Sequence, residues 1–232
     1  MPNTNHPDYP EEYILGRVQF FSKDFIITPD VLIPRLETEC LVRKARNVAR
    51  TIPESSLIDI GTGSWIIGVS CADIESIRSI EFSDISPDAL AVAEKNARNL
   101  ITRKDLSLTF SLGNLLKNYT LQGKTLPKTP LIITANLPYI KQDDWEHMSP
   151  DTKFEPELAL FGWKTTWFEL YDILFEQLKN IKHSEDIFLI IEFWYDQTDI
   201  ARKTIEKIGW KYEIFPDYAG IERFASIHIP PQ

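Results

Sequence analysis

LIDIGTGS, residues 57–64, is the stretch on which the fold turns. Residues 57–60 are apolar but for one acid, the pattern of a short buried strand, and residues 66–74 beyond them read as a helix. Gly61 and Gly63 stand at that junction, where glycines permit a tight turn and let backbone N–H groups approach a ligand at a helix N-terminus. A lone G-x-G is as readily an ordinary turn. Asp84 adds to it: it follows the next strand (79–82) about 20 residues on, where an acid accepts hydrogen bonds from ribose hydroxyls. Its other reading is a cap on the helix that begins near Pro87, for which Ser86 is better placed. Together the glycines and the acid point to a nucleoside-containing cofactor. The loop lacks a Walker pattern and its lysine, which argues against ATP hydrolysis.

The alternation continues outward. Pro87 opens a helix over 89–100, and strands are expected at 106–112 and 131–135. A helix over 168–178, a strand at 187–193 and a helix over 200–208 follow. Two closing strands, 211–215 and 224–229, have no helix between them, so the last is expected to run antiparallel. Upstream, 37–49 has a helical period, and 13–33 reads as a hairpin-like entry behind a loose arm, 1–12. Alternating helices and nearly continuous apolar strands predict an α/β fold: a Rossmann-like, seven-stranded, mostly parallel sheet with helices on both faces. The expected division is an arm and hairpin, 1–36, and a main domain, 37–232.

Composition fits one such domain. The chain has 232 residues, 43% hydrophobic and 25% charged, with a net charge of -9. That balance disfavours a dedicated nucleic-acid binder, which needs a basic surface. Cys40 and Cys71 form no C-x-x-C unit and read as reduced, core-packed thiols of a cytoplasmic protein. The four histidines are scattered, so no metal is expected. The polar, proline-rich start reads as neither signal peptide nor anchor, and no apolar run approaches a membrane span.

Asn136-Leu137-Pro138-Tyr139 ends the fourth strand of the main series. Strands 1, 2 and 4 of a parallel sheet deliver their loops to one edge, where ligands bind. Asn136 both accepts and donates, Pro138 frees neighbouring carbonyls, and Tyr139 offers a flat face. The set suits a planar –NH₂ group, whose two hydrogens need two acceptors. Taken alone, it also reads as a turn followed by a core tyrosine.

With these residues in view, the chain resembles the S-adenosylmethionine-dependent methyltransferases that modify planar nitrogens. Residues 31–39, VLIPRLETE, narrow this: they are similar to VLIPRPETE of the class I glutamine-N5 methyltransferases of peptide chain release factors. YILG (13–16), FSDISP (82–87), FEPELAL (154–160), YDQ (195–197) and DYAG (217–220) follow in that family's order, so the resemblance spans residues 13–229.

The resemblance implies a substrate, the glutamine of a release factor's Gly-Gly-Gln loop, and a cofactor, S-adenosylmethionine. Asn136 and a carbonyl near Leu137-Pro138 would accept the two amide hydrogens, and Tyr139 would pack on the amide plane. Asp59, Gly61, Thr62, Gly63, Ser64 and Trp65 would line the cofactor, Asp84 its ribose, and Asn114 and Leu115 its adenine. The family usually has aspartate at 114; Asn114 can still accept once. Arg35 and Glu37 would border the substrate mouth, although a plain surface ion pair reads them equally well.

The chain also departs from the family. About 12 residues precede Tyr13, where the family carries a helical substrate-gripping domain. Leu137 replaces the usual proline and matches ribosomal-RNA adenine methyltransferases instead. An amino-methyltransferase acting on adenine or cytosine, or an inactive binding module of this fold, are the competing readings. Glycine supplies only 9 residues, about 4% against about 7% in ordinary proteins. Trp65, Trp163, Trp167 and Trp194 stand where the family has glycine, and Trp145 and Trp210 do not. We expect those four codons to be UGA, read as tryptophan where the source organism reads glycine; UGG at all four would exclude it, leaving genuine tryptophans in a changed or inactive protein. An indole at 65 is expected to occupy part of the cofactor site.

Overall fold

The computed structural model describes residues 6–121, 123–162 and 167–232. A short helix, α1 (Glu11–Leu15), leads into a hairpin of β1 (Arg17–Phe20) and β2 (Lys23–Ile26). The main series then runs α2 (Thr38–Thr51), β3 (Ser55–Ile60), α3 (Ile66–Cys71), β4 (Ile77–Asp84), α4 (Pro87–Leu100) and β5 (Ser107–Leu112). It continues with α5 (Lys117–Thr120), β6 (Leu131–Asn136), α6 (Glu157–Leu160), α7 (Glu169–Asn180), β7 (Ile187–Glu192), α8 (Thr198–Ile208), β8 (Lys211–Pro216) and β9 (Glu222–Ile229).

Seven strands form one sheet in the order β5-β4-β3-β6-β7-β9-β8. All pairs are parallel except those of β9, the last strand, which inserts antiparallel between β7 and β8. Successive side chains of a strand point to opposite faces, and the core divides accordingly. Ile58 and Ile60 of β3 face α5, α7 and α8, whereas Leu57 faces α2, α3 and α4. The central strand β3 is buried along its whole length, as a sheet covered on both faces requires. The sequence order reverses between β3 and β6, which leaves a crevice beyond their carboxyl ends.

Local chemistry sets the start of α4. Ser86 Oγ accepts from Ala89 N at 3.2 Å and Pro87 supplies the first turn. Gly68 lets α3 lie close on the sheet, since a Cβ there would stand 2.3 Å from Phe82 Cε1.

Several expectations change. Residues 31–33 form no strand, and residues 6–15 are not loose. Tyr9 and Tyr13 are buried with Val31, Ile33 and Val92, and Tyr13 Oη donates to the Val31 carbonyl at 2.6 Å. The hairpin is tied to α4 by Asn96, which donates to Ile26 O and accepts from Ile26 N.

The tryptophans do not behave alike. Trp65 and Trp167 adopt left-handed backbone (φ 74° and 56°), the region that favours glycine, whereas Trp194 lies at an ordinary φ of −69°. Trp163 lies outside the described residues. The Trp65 ring does not enter the crevice: it is fully buried on the opposite side, stacked on Phe82 at 3.7 Å and on Phe110 at 4.6 Å. Its Nε1 has no hydrogen-bond partner among the described residues. Relief of the left-handed backbone is worth about 1–2 kcal/mol; losing a buried indole costs about 3–5 kcal/mol. Trp65→Gly alone is therefore expected to lower stability by about 1–4 kcal/mol while leaving cofactor affinity nearly unchanged. Denaturant unfolding with a parallel calorimetric titration checks both, and an unchanged midpoint would contradict the packing.

Candidate active site

Four chain segments meet at the carboxyl edge of the sheet. The turn after β3 is held by Gly61 N and Thr62 N, both donating to the Ser83 carbonyl. Gly61 takes φ 64°, and a Cβ there would press on Leu137 Cδ2 at 3.0 Å. A larger residue at 61 would therefore strain the left-handed turn and require the Leu137 side chain to shift by a few tenths of an ångström. Asp59, expected to line the cofactor, lies beneath this turn and reaches no cavity. Its carboxylate accepts from Thr62 Oγ1 (2.6 Å), Thr134 Oγ1 (2.7 Å) and Gly68 N (3.3 Å), so it buttresses the turn from inside. Burial pushes its pKa up to about 6, against the lowering effect of those donors.

Asp84 closes β4 with Oδ2 accepting from Gly63 N and Oδ1 from Ser86 N, both at 2.9 Å. It thereby fixes the glycine turn and still has acceptor lone pairs to spare. Burial raises its pKa, and the amides of Ser86 and Gly63 oppose the rise. Helix capping falls to Ser86.

A cavity of about 370 Å³ opens between these loops, within the usual range of small-molecule sites. Gly61 to Ser64, Asp84, Asn114, Leu115 and Asn136 to Pro138 all contribute to its wall. A second cavity, about 570 Å³, lies on the other side of the residue 136–140 segment and takes in Arg35, Glu37, Tyr139, Glu192 and Trp194. The two share Leu32, Arg35, Asn136, Leu137 and Ala159 in their walls. Of the residues expected at the site, only Asp59 and Trp65 reach neither cavity.

The segment at the shared wall is tightly held. Leu137 N donates to Tyr171 Oη at 3.0 Å, and Ile140 N donates to Leu160 O at 2.9 Å. Asn136 Nδ2 donates to Thr38 Oγ1 at 3.3 Å, and Thr38 Oγ1 donates to Glu192 Oε2 at 2.8 Å. Tyr139 Oη donates to Glu192 Oε1 at 3.3 Å, while its ring stacks on Trp194 at 5.4 Å. Arg35 does not pair with Glu37. It pairs with Glu155 at 2.5 Å, whose other oxygen accepts from Ile33 N, so residues 31–35 are strapped to the stretch before α6.

Thr38, Glu155 and Glu192 went unnamed in the sequence reading. A signal existed for Glu192, a single acid in an otherwise apolar strand. Burial pushes its pKa up to about 7, with Thr38, Tyr139 and Arg223 opposing the rise. The sign follows: a folded pKa above a free glutamate's 4.5 favours the protonated form, so this group's stabilisation is full below 4.5 and lost as pH rises through about 7. Glu192→Gln is expected to flatten that part of the pH dependence of thermal unfolding; an unaltered slope would show that Glu192 does not titrate there.

Comparison with known proteins bears on the family and the fold. The chain is 33% identical over 216 residues to the release factor glutamine methyltransferase of Mycoplasma mycoides subsp. mycoides SC, covering 91% of this chain and 73% of that one. The corresponding protein of Neisseria gonorrhoeae is also 33% identical, with 92% and 74% covered. Among solved structures, the hMettl16 catalytic domain in complex with MAT2A 3'UTR hairpin 6 superimposes with a TM-score of 0.64 at 12% identity, over 88% of this chain and 74% of that one. The human methyltransferase 10 domain containing protein gives 0.58 at 14% identity, over 89% and 88%. At such identities the structures speak for the fold alone. No family model matches the chain.

Proposed function

The chain belongs to the release factor glutamine methyltransferases, and from that membership we propose how its two cavities divide the reaction between donor and acceptor. The reaction is methyl transfer from S-adenosylmethionine to the side-chain amide nitrogen of the glutamine in a release factor's Gly-Gly-Gln loop. One observation carries the division: Asn136 stands in the wall common to both cavities.

The first cavity suits the donor. Its volume is adequate, Asp84 supplies acceptors for ribose hydroxyls, and the glycine turn presents backbone close to the ligand. Thr62 to Ser64 would hold the ribose and methionine side, and Asn114 and Leu115 the adenine. When bound, S-adenosylmethionine supplies an electrophilic methyl group on its sulfonium. Asp59 and Trp65 belong to the support beneath this site.

The second cavity would take the glutamine. Asn136 Oδ1 accepts one amide hydrogen, and the carbonyl at Leu137 or Pro138 accepts the other. Tyr139 would pack its ring on the amide plane; Trp194, stacked on that ring, stands at one of the four positions where the family has glycine. An amide nitrogen is a poor nucleophile because its lone pair is delocalised, so orientation of that nitrogen is the main catalytic contribution. No general base is required, since the proton leaves after transfer. Arg35, held by Glu155, and Glu37 form the mouth. Release factors act in the cytoplasm, and we place this activity there. A net charge of -9 suits a protein substrate better than a nucleic acid.

The test is incubation with methyl-labelled S-adenosylmethionine and a release factor, a factor lacking the Gly-Gly-Gln glutamine, or RNA. Label in the intact factor alone is expected. Label in RNA, or in the factor without its glutamine, would overturn the reading.

A further inference from the structure

The polar chain behind Asn136 has a direction. A threonine hydroxyl carries one hydrogen, and an ionised carboxylate accepts only. With Glu192 ionised, the single Thr38 hydrogen goes to Glu192 Oε2 at 2.8 Å, which leaves Thr38 Oγ1 as an acceptor. Asn136 must then offer Thr38 its Nδ2 end, the contact found at 3.3 Å. The Oδ1 end of the same planar amide points away from Thr38.

We propose that Thr38 and Glu192 are positioning residues that fix the polarity of the Asn136 side chain, holding its oxygen available to the substrate amide hydrogen. The proposal rests on the reading of Asn136 as the glutamine acceptor. It adds what that reading lacks, a reason why the Asn136 amide does not turn over. An asparagine presenting NH₂ to a substrate NH₂ would set donor against donor and expel the substrate. Three chain segments far apart in sequence are needed for the device: α2, the end of β6 and the end of β7.

The surroundings of Glu192 fit a group that changes ionisation. Glu37 faces it from the residue just before α2, and Tyr139 from the segment after β6. Arg223 on β9 also faces it, paired with Asp217 at 2.8 Å. From α7, Tyr171 Oη is committed to the Glu192 backbone carbonyl rather than its carboxylate. Burial raises the carboxyl pKa to about 7. Above that value the relay has one polarity. Below it, protonated Glu192 can donate to Thr38, Thr38 can donate to Asn136, and the amide is free to reverse.

The experiment uses the full chain with its release factor and follows Thr38→Val, Thr38→Ser and Glu192→Gln. Thr38→Val and Glu192→Gln are each expected to lower kcat at least about tenfold, with S-adenosylmethionine Kd within about twofold of wild type. Thr38→Ser, which keeps the hydroxyl, should return kcat to within about threefold. The wild-type kcat should fall as pH drops through about 7, and Glu192→Gln should lose that limb. A second readout needs no turnover: the ¹⁵N-labelled side-chain amide of Asn136 should shift in NMR spectra with the same midpoint, and Thr38→Val should abolish the shift. Wild-type kcat in both folded variants, or an Asn136 resonance indifferent to pH, would overturn the proposal. If the wild-type protein fails to methylate the release factor, the functional reading falls instead, and the resonance alone decides the relay.

Discussion

Asn136→Ala is expected to cut methyl transfer about a hundredfold or more while leaving the protein folded. The substituted side chain removes one acceptor for the substrate amide, and an unpaired donor in a desolvated site costs about 1–3 kcal/mol. Loss of orientation adds to this, because displacing a reacting group by about 1 Å can by itself cost about a hundredfold. The fold should survive because the side chain is only partly buried and, among the described residues, donates a single hydrogen bond, at 3.3 Å to Thr38. Thr38 keeps its stronger bond to Glu192. Single-turnover rates at saturating S-adenosylmethionine, beside a thermal melt, make the measurement. Wild-type turnover in the folded variant would remove Asn136 from the reaction.

Asp84→Ala should act on binding. Two charge-assisted hydrogen bonds from ribose hydroxyls, at about 1.5–3 kcal/mol each, correspond to a hundredfold or greater loss in affinity. Those bonds contribute similarly before and during methyl transfer, so the rate at saturation should change little. A further loss is expected because Asp84 Oδ2 also accepts from Gly63 N at 2.9 Å and so holds the glycine turn in place. Asp84→Asn keeps an oxygen for one of these donors but loses the charge, and should fall between the two. Calorimetric titration separates the cases, and wild-type affinity in Asp84→Ala would refute the assignment. Because Asp84 sits at a carboxyl end of the sheet and Asn136 at another, the two substitutions should separate binding from chemistry.

What the sequence determined by itself was whatever depends on neighbours close in the chain. Apolar runs and helical periods set the order of β3 to β9, and the strand-turn-helix at 57–74 set the sheet's parallel sense. The same local logic put Asp84 and Asn136 at strand ends on one edge, since parallel strands bring their following loops to the same side. Chain order also made β9 antiparallel, because β8 and β9 are joined without a helix.

Tertiary structure decided which side of each turn a side chain takes and which distant group it meets. Asp59 sits in the same motif as Gly61, yet strand alternation turns it under the loop toward Thr134, 75 residues away. Trp65 follows that loop directly, but its left-handed backbone aims the indole at Phe82 and Phe110 rather than at the cofactor. For Arg35 and Glu37 a surface ion pair reads as well as a substrate mouth; Arg35 instead meets Glu155, 120 residues on. Thr38 and Glu192 are 154 residues apart and touch only because α2 packs over β6 and β7. Such pairings depend on strand register and helix placement, which local periodicity does not carry, and the polarity of Asn136 is settled by them.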